Sequence, residues 1–539
     1  MRTSYTPEEA KAIFRGDREF AVLDVREQEE FSRSHILLAT SAPLSRLEFM
    51  APALVPCKAV PVILVDSGNE TGPSRAERGR GVLRAMGYAG AAVLAGGMEA
   101  WKKAGYVDFN GVGALSKGFG EYVEEVLHTP RLEPGEIKAM LDAGREVVVV
   151  DVRPREEYNA MNIPTGLNAP GCEVTYRLAD LAPDPETQII VNCAGRTRSI
   201  IGTQTLINAG IPNPVAALKG GTMNWQLAGL TLEYGTKRRT APPSAEAFDV
   251  ARKRAGAVAA KYGVAKVDAA TVRAWQAEAD RRTLYLCDVR QPEEYLAGHL
   301  PGSRNTPGGQ LVQATDEYAA VRNARFVLID DTEVRAVMTA HWLIQMGLPD
   351  VHVLRGGLGG SGFGAAGLEY GPTPPSSFEP PQVAMIAPAR LKALLDSETP
   401  PLVVDIGVSS DHRAGHVPGA VWVTRGYLER ARDAYPEAGD IVIASGNEAQ
   451  ARCATAEAAV LWPDARVRCL AGGTPAWIAA ELPVEAGMAV SLCAEDDVWY
   501  KPYTDVNARP EDMKGYFDWE FGLVARIRQD GCVRFNLTS

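Results

Sequence analysis

The stretch Ile189 to Gly202, IIVNCAGRTRSIIG, decides how the chain is read. Its apolar start, Ile189 to Val191, predicts a buried strand that ends at Asn192-Cys193. Ala194, Gly195, Arg196, Thr197 and Arg198 then make a short loop, and an apolar-periodic helix follows. One thiol is thereby set at a strand-to-helix elbow. Unpaired N–H groups and the positive end of the helix dipole favour an anion there. Arg196 and Arg198 add two formal charges beside it, and all three effects favour thiolate over thiol. A lone cysteine after an apolar strand is ordinarily a small core residue. The two arginines, in a turn too short to hide them, make Cys193 a candidate nucleophile that also attracts anionic substrates.

Working outward, the stretch belongs to a unit written four times. Apolar runs end in Asp-centred motifs around Asp24 (AVLDVREQEEF), Asp151 (VVVDVRPREEY), Asp288 (LYLCDVRQPEEY) and Asp405 (LVVDIGVSSDH). A turn follows in each copy, clearest as GHLPGS from Gly298 and GHVPGA from Gly415. Next come a second apolar run, a loop and a helix. Each unit closes on Leu-x-Gly-Gly, at Leu94, Leu218, Leu354 and Leu470, and Trp101, Trp225 and Trp477 follow three of these turns. Strand and helix in alternation imply parallel strands with crossover helices, an α/β sheet covered on both faces. The expected division is 1–108, 129–235, 264–371 and 383–487, with a C-terminal extension at 488–539. Pro130, Pro134, the TKRRTAPPS stretch from Thr236 and the PTPPSSFEPP stretch from Pro372 read as linkers, and Ala245 to Tyr262 as an extra helix. That helix suggests pairing of the first copy with the second and the third with the fourth. The extension is dense in aromatics, among them Trp499, Tyr503, Tyr516 and Trp519, which predicts packing across domains, with a cover over the reactive loop as the alternative.

Composition narrows the function classes. The chain has 539 residues, too many for one core. A net charge of −11 without a basic run argues against nucleic acid. No apolar run approaches a bilayer span, and the start reads as a helix entry with Thr6 as N-cap and Pro7 at the first position, so no membrane partner and a cytoplasmic setting are expected. The eight cysteines form no CxxC pair and no metal-ligand spacing, so no metal site and no disulfide framework are expected. Cys57, Cys172, Cys287, Cys453, Cys469, Cys493 and Cys532 lie outside the loop position and read as packing residues.

The DVR-x-x-x-E-[YF] stretch, the GHxPGA-type turn, the Cys-initiated loop closing on Arg and the LxGGxxxW ending together resemble the rhodanese superfamily of sulfurtransferases. The resemblance covers four tandem copies and implies four rhodanese-like domains, each a parallel sheet flanked by helices. The family's catalytic residue opens the loop, and only the second copy has a cysteine there. Cys193–Arg198 aligns without a gap on Asp330–Arg335; Asp66 stands at that position in the first copy and Ser445 in the fourth. Those three copies are expected to be catalytically silent, since a carboxylate cannot accept sulfur and a serine without a base is a poor nucleophile.

The resemblance further implies that Cys193 takes sulfane sulfur from a small anionic donor such as thiosulfate and passes it, through a persulfide, to a thiol or cyanide, without any cofactor. Arg196 and Arg198, with Ala194, Gly195, Thr197 and Ser199, would bind the substrate, Thr197 and Ser199 having helix N-capping as their rival role. Asp151 and Arg153 would form a structural pair near the site, because the Asp recurs in silent copies. Four residues separate Cys193 from Arg198, one fewer than in phosphatases that share this fold, so a phosphatase-like activity is the less favoured alternative. A binding or scaffold protein is the other. An acceptor protein and a homodimer complete the partners considered.

Overall fold

The computed structural model describes residues 2–70, 74–360, 362–363, 367–373 and 378–538. The linker expected from Pro372 and the first copy's loop fall partly outside them, at 374–377 and 71–73. Four sheets of parallel strands, one per copy, carry the architecture. In copy two the order is Arg131–Leu132, Val215–Leu218, Gln188–Asn192, Val147–Asp151, Leu167–Asn168. Copies three and four repeat it, and copy one adds an antiparallel strand, Val321–Arg322, lent by copy three to Phe20–Asp24. The strand expected before the cysteine is the central one. Ile189, Ile190 and Val191 are buried on both faces, as a strand covered by helices on two sides requires.

Several sequence features act as read. Thr6 caps the helix Pro7–Phe14 in a reciprocal capping box with Glu9. The extra helix runs Ala245–Tyr262, capped by Ser244. Asp24, Asp151 and Asp288 each tie down the Arg two residues on, Asp151 Oδ2 accepting from Arg153 Nη2 at 2.8 Å. In copy four, where Gly407 replaces that Arg, His412 Nδ1 meets Asp405 Oδ2 at 2.8 Å instead. The three tryptophans after the Gly-Gly turns are buried and donate their indole N–H to Val107, Thr231 and Pro483 carbonyls.

The pairing of copies differs from the expectation. Copies two and three face each other about a local pseudo-twofold: Arg198 donates to Gln310 Oε1 at 3.2 Å, and its counterpart Arg335 to Glu173 Oε1 at 3.2 Å. Copies one and four meet through Arg425 on Glu48 and Arg78 on Glu429. The helix Ala245–Tyr262 misleads because it packs across Val174–Leu181 and Val334–Gln345, clamping copies two and three together rather than separating halves.

The extension reaches all four copies. Its helix, Pro510–Asp530, lies along a linker helix, Ala114–Leu127. Trp519 Nε1 donates to Asn110 O, Lys11 Nζ holds Asp530, Asp497 accepts from Ser409, and Asn536 N donates to Gln345 O.

Candidate active site

The strand Gln188–Asn192 ends and the helix Thr197–Asn208 begins at the carboxyl edge of the copy-two sheet, where open α/β sheets place their sites. Cys193 opens the loop between them. Its carbonyl accepts from Thr222 N at 2.8 Å and Thr222 Oγ1 at 3.1 Å, and Ala194 O accepts from Met223 N at 3.0 Å. The Gly220-Gly221 turn is therefore a clamp on the loop. A Cβ on Gly221 would lie 2.4 Å from Cys193 O and 2.6 Å from Gly195 O, with φ at +58°. The same second glycine abuts the loop in every copy, at Gly97, Gly357 and Gly473, which gives the repeated Gly-Gly its physical reason.

What the loop offers is a nest of N–H groups, most plainly seen in the copies without cysteine. Asp330 accepts from the backbone N–H of Thr332 at 3.0 Å, Arg335 at 2.8 Å and Ala336 at 3.2 Å, and from that of Glu333. Asp66 accepts from Gly68 N and Ala76 N, each at 3.0 Å. Ser445 Oγ accepts from Asn447 N at 3.1 Å. In copy two the corresponding N–H groups, Gly195 and Ser199, act on the Cys193 sulfur. Each loop thus points backbone N–H groups at its first side chain, a carboxylate in copies one and three, a hydroxyl in copy four and the sulfur in copy two.

The arginines are placed otherwise than expected. Arg196 spends its planar fork on Glu121, at 2.7 Å on both oxygens, with Glu124 beside it and Phe521 under the guanidinium at 4.4 Å. Arg198 binds both Glu157 oxygens at 2.7 Å. That glutamate is the acidic residue of DVR-x-x-x-E-Y, and the pairing recurs as Arg75 with Glu30 and Arg335 with Glu294. Both guanidiniums are thus held by carboxylates. Arg198 still contributes positive potential at Cys193, favouring the thiolate.

Cys193 itself is 1% exposed. Its thiol donates to Ser199 Oγ at 3.4 Å, and Ser199 in turn donates to Arg196 O. Burial pushes the thiol up, outweighing Arg198, the Ser199 hydroxyl and the two N–H groups that pull it down. Burial thus works against the thiolate expected from the sequence, because that reading did not include what covers the loop. Thr197 does not cap its helix: the N-cap is Arg196, with no side-chain bond, and Thr197 Oγ1 instead donates to Glu520 Oε1 at 3.3 Å. Asp151 reaches the loop through Asn192, whose Nδ2 donates to Asp151 Oδ2 at 2.8 Å and to Thr222 Oγ1 at 3.2 Å. Arg153 also donates to Met161 O at 2.6 Å, a structural anchor.

Glu121, Glu157 and Glu520 escaped sequence reasoning, whereas Tyr503 and Tyr516 belong to the aromatic extension for which a cover over the loop is the alternative reading. Glu157 carried a signal, the recurrence of its position in three motifs. The others come from the linker helix and the extension, which do not repeat.

All eight cysteines are free. Cys57, Cys172, Cys287, Cys453 and Cys469 are buried, Cys493 and Cys532 partly so. Among the described residues no helix is long and apolar enough to cross a membrane.

Comparison with known proteins adds family context. The profile of the Rhodanese-like domain family matches residues 6–104, 133–228, 268–360 and 387–480. The crystal structure of a thiosulfate sulfurtransferase from Pseudomonas aeruginosa superposes with a TM-score of 0.93 at 44% identity, covering 99% of both chains. An HTH-type transcriptional regulator of Mycobacterium tuberculosis is 35% identical over 113 residues, which is 21% of this chain and 49% of that protein. An uncharacterized protein of Bacillus subtilis is 36% identical over 77 residues, 14% of this chain and 59% of that protein. The chain thus spans about half the length of these two curated relatives.

Proposed function

Because the chain belongs to the rhodanese-like family, with four copies of its domain, we propose that it is a sulfurtransferase working through a persulfide on Cys193. One observation carries this reading: all four loops point backbone N–H groups at their first side chain, and only copy two places a thiol there. End-to-end likeness to a thiosulfate sulfurtransferase supports thiosulfate as the donor.

The chemistry follows from the nest. Cys193 loses its proton to solvent, and the thiolate attacks the outer sulfur of thiosulfate. The sulfur–sulfur bond of the donor breaks, and sulfite leaves with the electron pair. The resulting Cys–S–S⁻ places its charge in the cradle of Gly195 and Ser199 N–H groups, where preorganised dipoles need no rearrangement. A thiolate or cyanide then attacks the outer sulfur, and Cys193 departs as thiolate. Arg198 supplies positive potential to both anionic states, and Arg196 fixes the loop through Glu121. Asp151 and Arg153 position the strand end through Asn192.

The purified chain should release sulfite from thiosulfate when cyanide or a thiol is present, with ping-pong kinetics. Cys193→Ala should abolish that release. Hydrolysis of an aryl phosphate with no transfer from any sulfane donor would overturn the proposal. A scaffold role for copies one, three and four is a second reading, favoured by the carboxylates that fill two of their nests.

A further inference from the structure

Cys193 belongs to the copy-two core with Val152, Val191 and Leu206, and the cover over the loop beside it comes from outside copy two. Tyr516 and Glu520, on the helix Pro510–Asp530, stand over Gly195: a Cβ there would lie 3.6 Å from Tyr516 Cε1 and 3.8 Å from Glu520 Oε2. Tyr503, ahead of that helix, sits beside Arg198 and Glu157. A sulfur that water scarcely touches cannot receive a five-atom anion in line. Something must move before any donor arrives.

The contacts on the cover differ along its length. At its carboxyl end Lys11 Nζ grips Asp530 at both its side chain, 2.6 Å, and its carbonyl, 2.9 Å, in a buried pair. Arg526 with Asp108 and Arg528 with Glu125 are partly exposed pairs, each worth about 0–1 kcal/mol. Over the loop the contacts are a soft patch, Met513 and Tyr516 against Met223, with Thr197 on Glu520 Oε1 and Phe521 under Arg196. The polar fit there is incomplete. Glu520 is 1% exposed, yet its Oε2 has no hydrogen-bond partner. We propose that the segment from Trp499 to Asp530 is a movable cap, hinged at Asp530 and closed here through Tyr516 and Glu520, and that Cys193 reacts only when it opens.

Glu520 makes closure depend on protons. The groups facing it are Lys117 and Glu121 on the linker helix, Arg196 on the loop and Tyr516 on its own helix. Burial, then the Glu121 charge, pushes the Glu520 carboxyl up to about 8, against Lys117 and Arg196. In the open form it would return towards the ordinary glutamate value of about 4.5. Between those values closing takes up a proton, so each pH unit shifts the balance about tenfold towards open, and above the upper value the shift stops. Opening also rehydrates Cys193, removing the burial that works against its thiolate.

The test uses the full-length protein and iodoacetamide, with the Cys193 peptide quantified by mass spectrometry from pH 6 to 8. Thiolate formation alone raises the rate about tenfold per pH unit, and the cap adds a second factor of up to about ten. The wild-type rate should therefore rise more steeply than that of Glu520→Gln, which is uncharged throughout. Gly118→Val, on the far side of the linker helix, should dislodge the cap, since even a Cβ there would lie 2.3 Å from Ile527 Cδ1 and 3.3 Å from Leu523 Cβ. It should label Cys193 at least tenfold faster at pH 7, while Cys453, buried in copy four, stays unlabelled and reports an intact fold. Equal rates in wild type and Gly118→Val, or equal pH slopes in wild type and Glu520→Gln, would overturn the proposal. It rests on the sulfurtransferase reading only for its purpose. Alkylation needs no sulfur donor, so failure of the cap and failure of the chemistry are read separately.

Discussion

Gly221→Ala tests whether the Gly-Gly turn holds the reactive loop. At φ +58° an alanine costs about 1–2 kcal/mol in backbone strain. Its Cβ would also sit 2.4 Å from Cys193 O and 2.6 Å from Gly195 O, both backbone atoms that cannot rotate away. Ordinary contact requires about 3.4 Å, so the loop must retreat by roughly 1 Å, at an overpacking cost of about 1–3 kcal/mol. The total is about 2–5 kcal/mol, concentrated on the N–H nest. Two controls separate the terms. Gly229→Ala has φ +72° with open space around it, so it should show the strain alone. Gly473→Ala meets Ser445 O at 2.3 Å in copy four, so it should cost as much as Gly221→Ala yet leave Cys193 untouched. Calorimetric melting and the rate of persulfide formation would be measured on all three. A Gly221→Ala protein with wild-type melting and wild-type sulfur uptake would refute the reasoning, as would a Gly229→Ala protein impaired to the same degree.

Other consequences can be measured alongside. Asp330→Cys puts a thiol into a nest with four backbone donors, so mass spectrometry after thiosulfate should find a second sulfur-bearing peptide, and none appears if the nest alone is insufficient. Arg153→Met strands the buried Asp151 carboxylate and should cost about 3–5 kcal/mol, whereas Asp151→Leu/Arg153→Met should recover most of that loss in urea titrations. Burial drives His35 and His341 down to about 3, so both stay neutral in the fold while unfolded chains take up protons below about 6.5. Stability should therefore fall as pH drops from about 6.5 towards 3, by up to about 1.4 kcal/mol per unit for each histidine, and His35→Asn should flatten the dependence of the melting temperature.

The repeat made the fold legible. An apolar run ending in Asp, a loop, and a Gly-Gly turn recur because each copy needs the same central strand, the same nest and the same clamp. Thr6, Pro7 and the ends of the helix Ala245–Tyr262 could be read to the residue, since capping and proline chemistry are local. The electrostatics of the site could not. Arg196 and Arg198 look free in the sequence, but their partners Glu121 and Glu157 lie far from them in the chain and converge only through packing. Helix Ala114–Leu127 fell between expected domains, and it carries both Glu121 and the groove that receives the C-terminal helix. The pairing of copies escaped for the same reason. A lone helix between two repeats says nothing of which surfaces it joins, and here it joins copies two and three.

The most direct measurement is the mass of every cysteine-bearing peptide after the native protein meets thiosulfate and excess donor is removed. One added sulfur on the peptide holding Cys193, removable by cyanide, with the other seven cysteines unchanged, is the predicted result. Sulfur on another cysteine while Cys193 stays bare would contradict it.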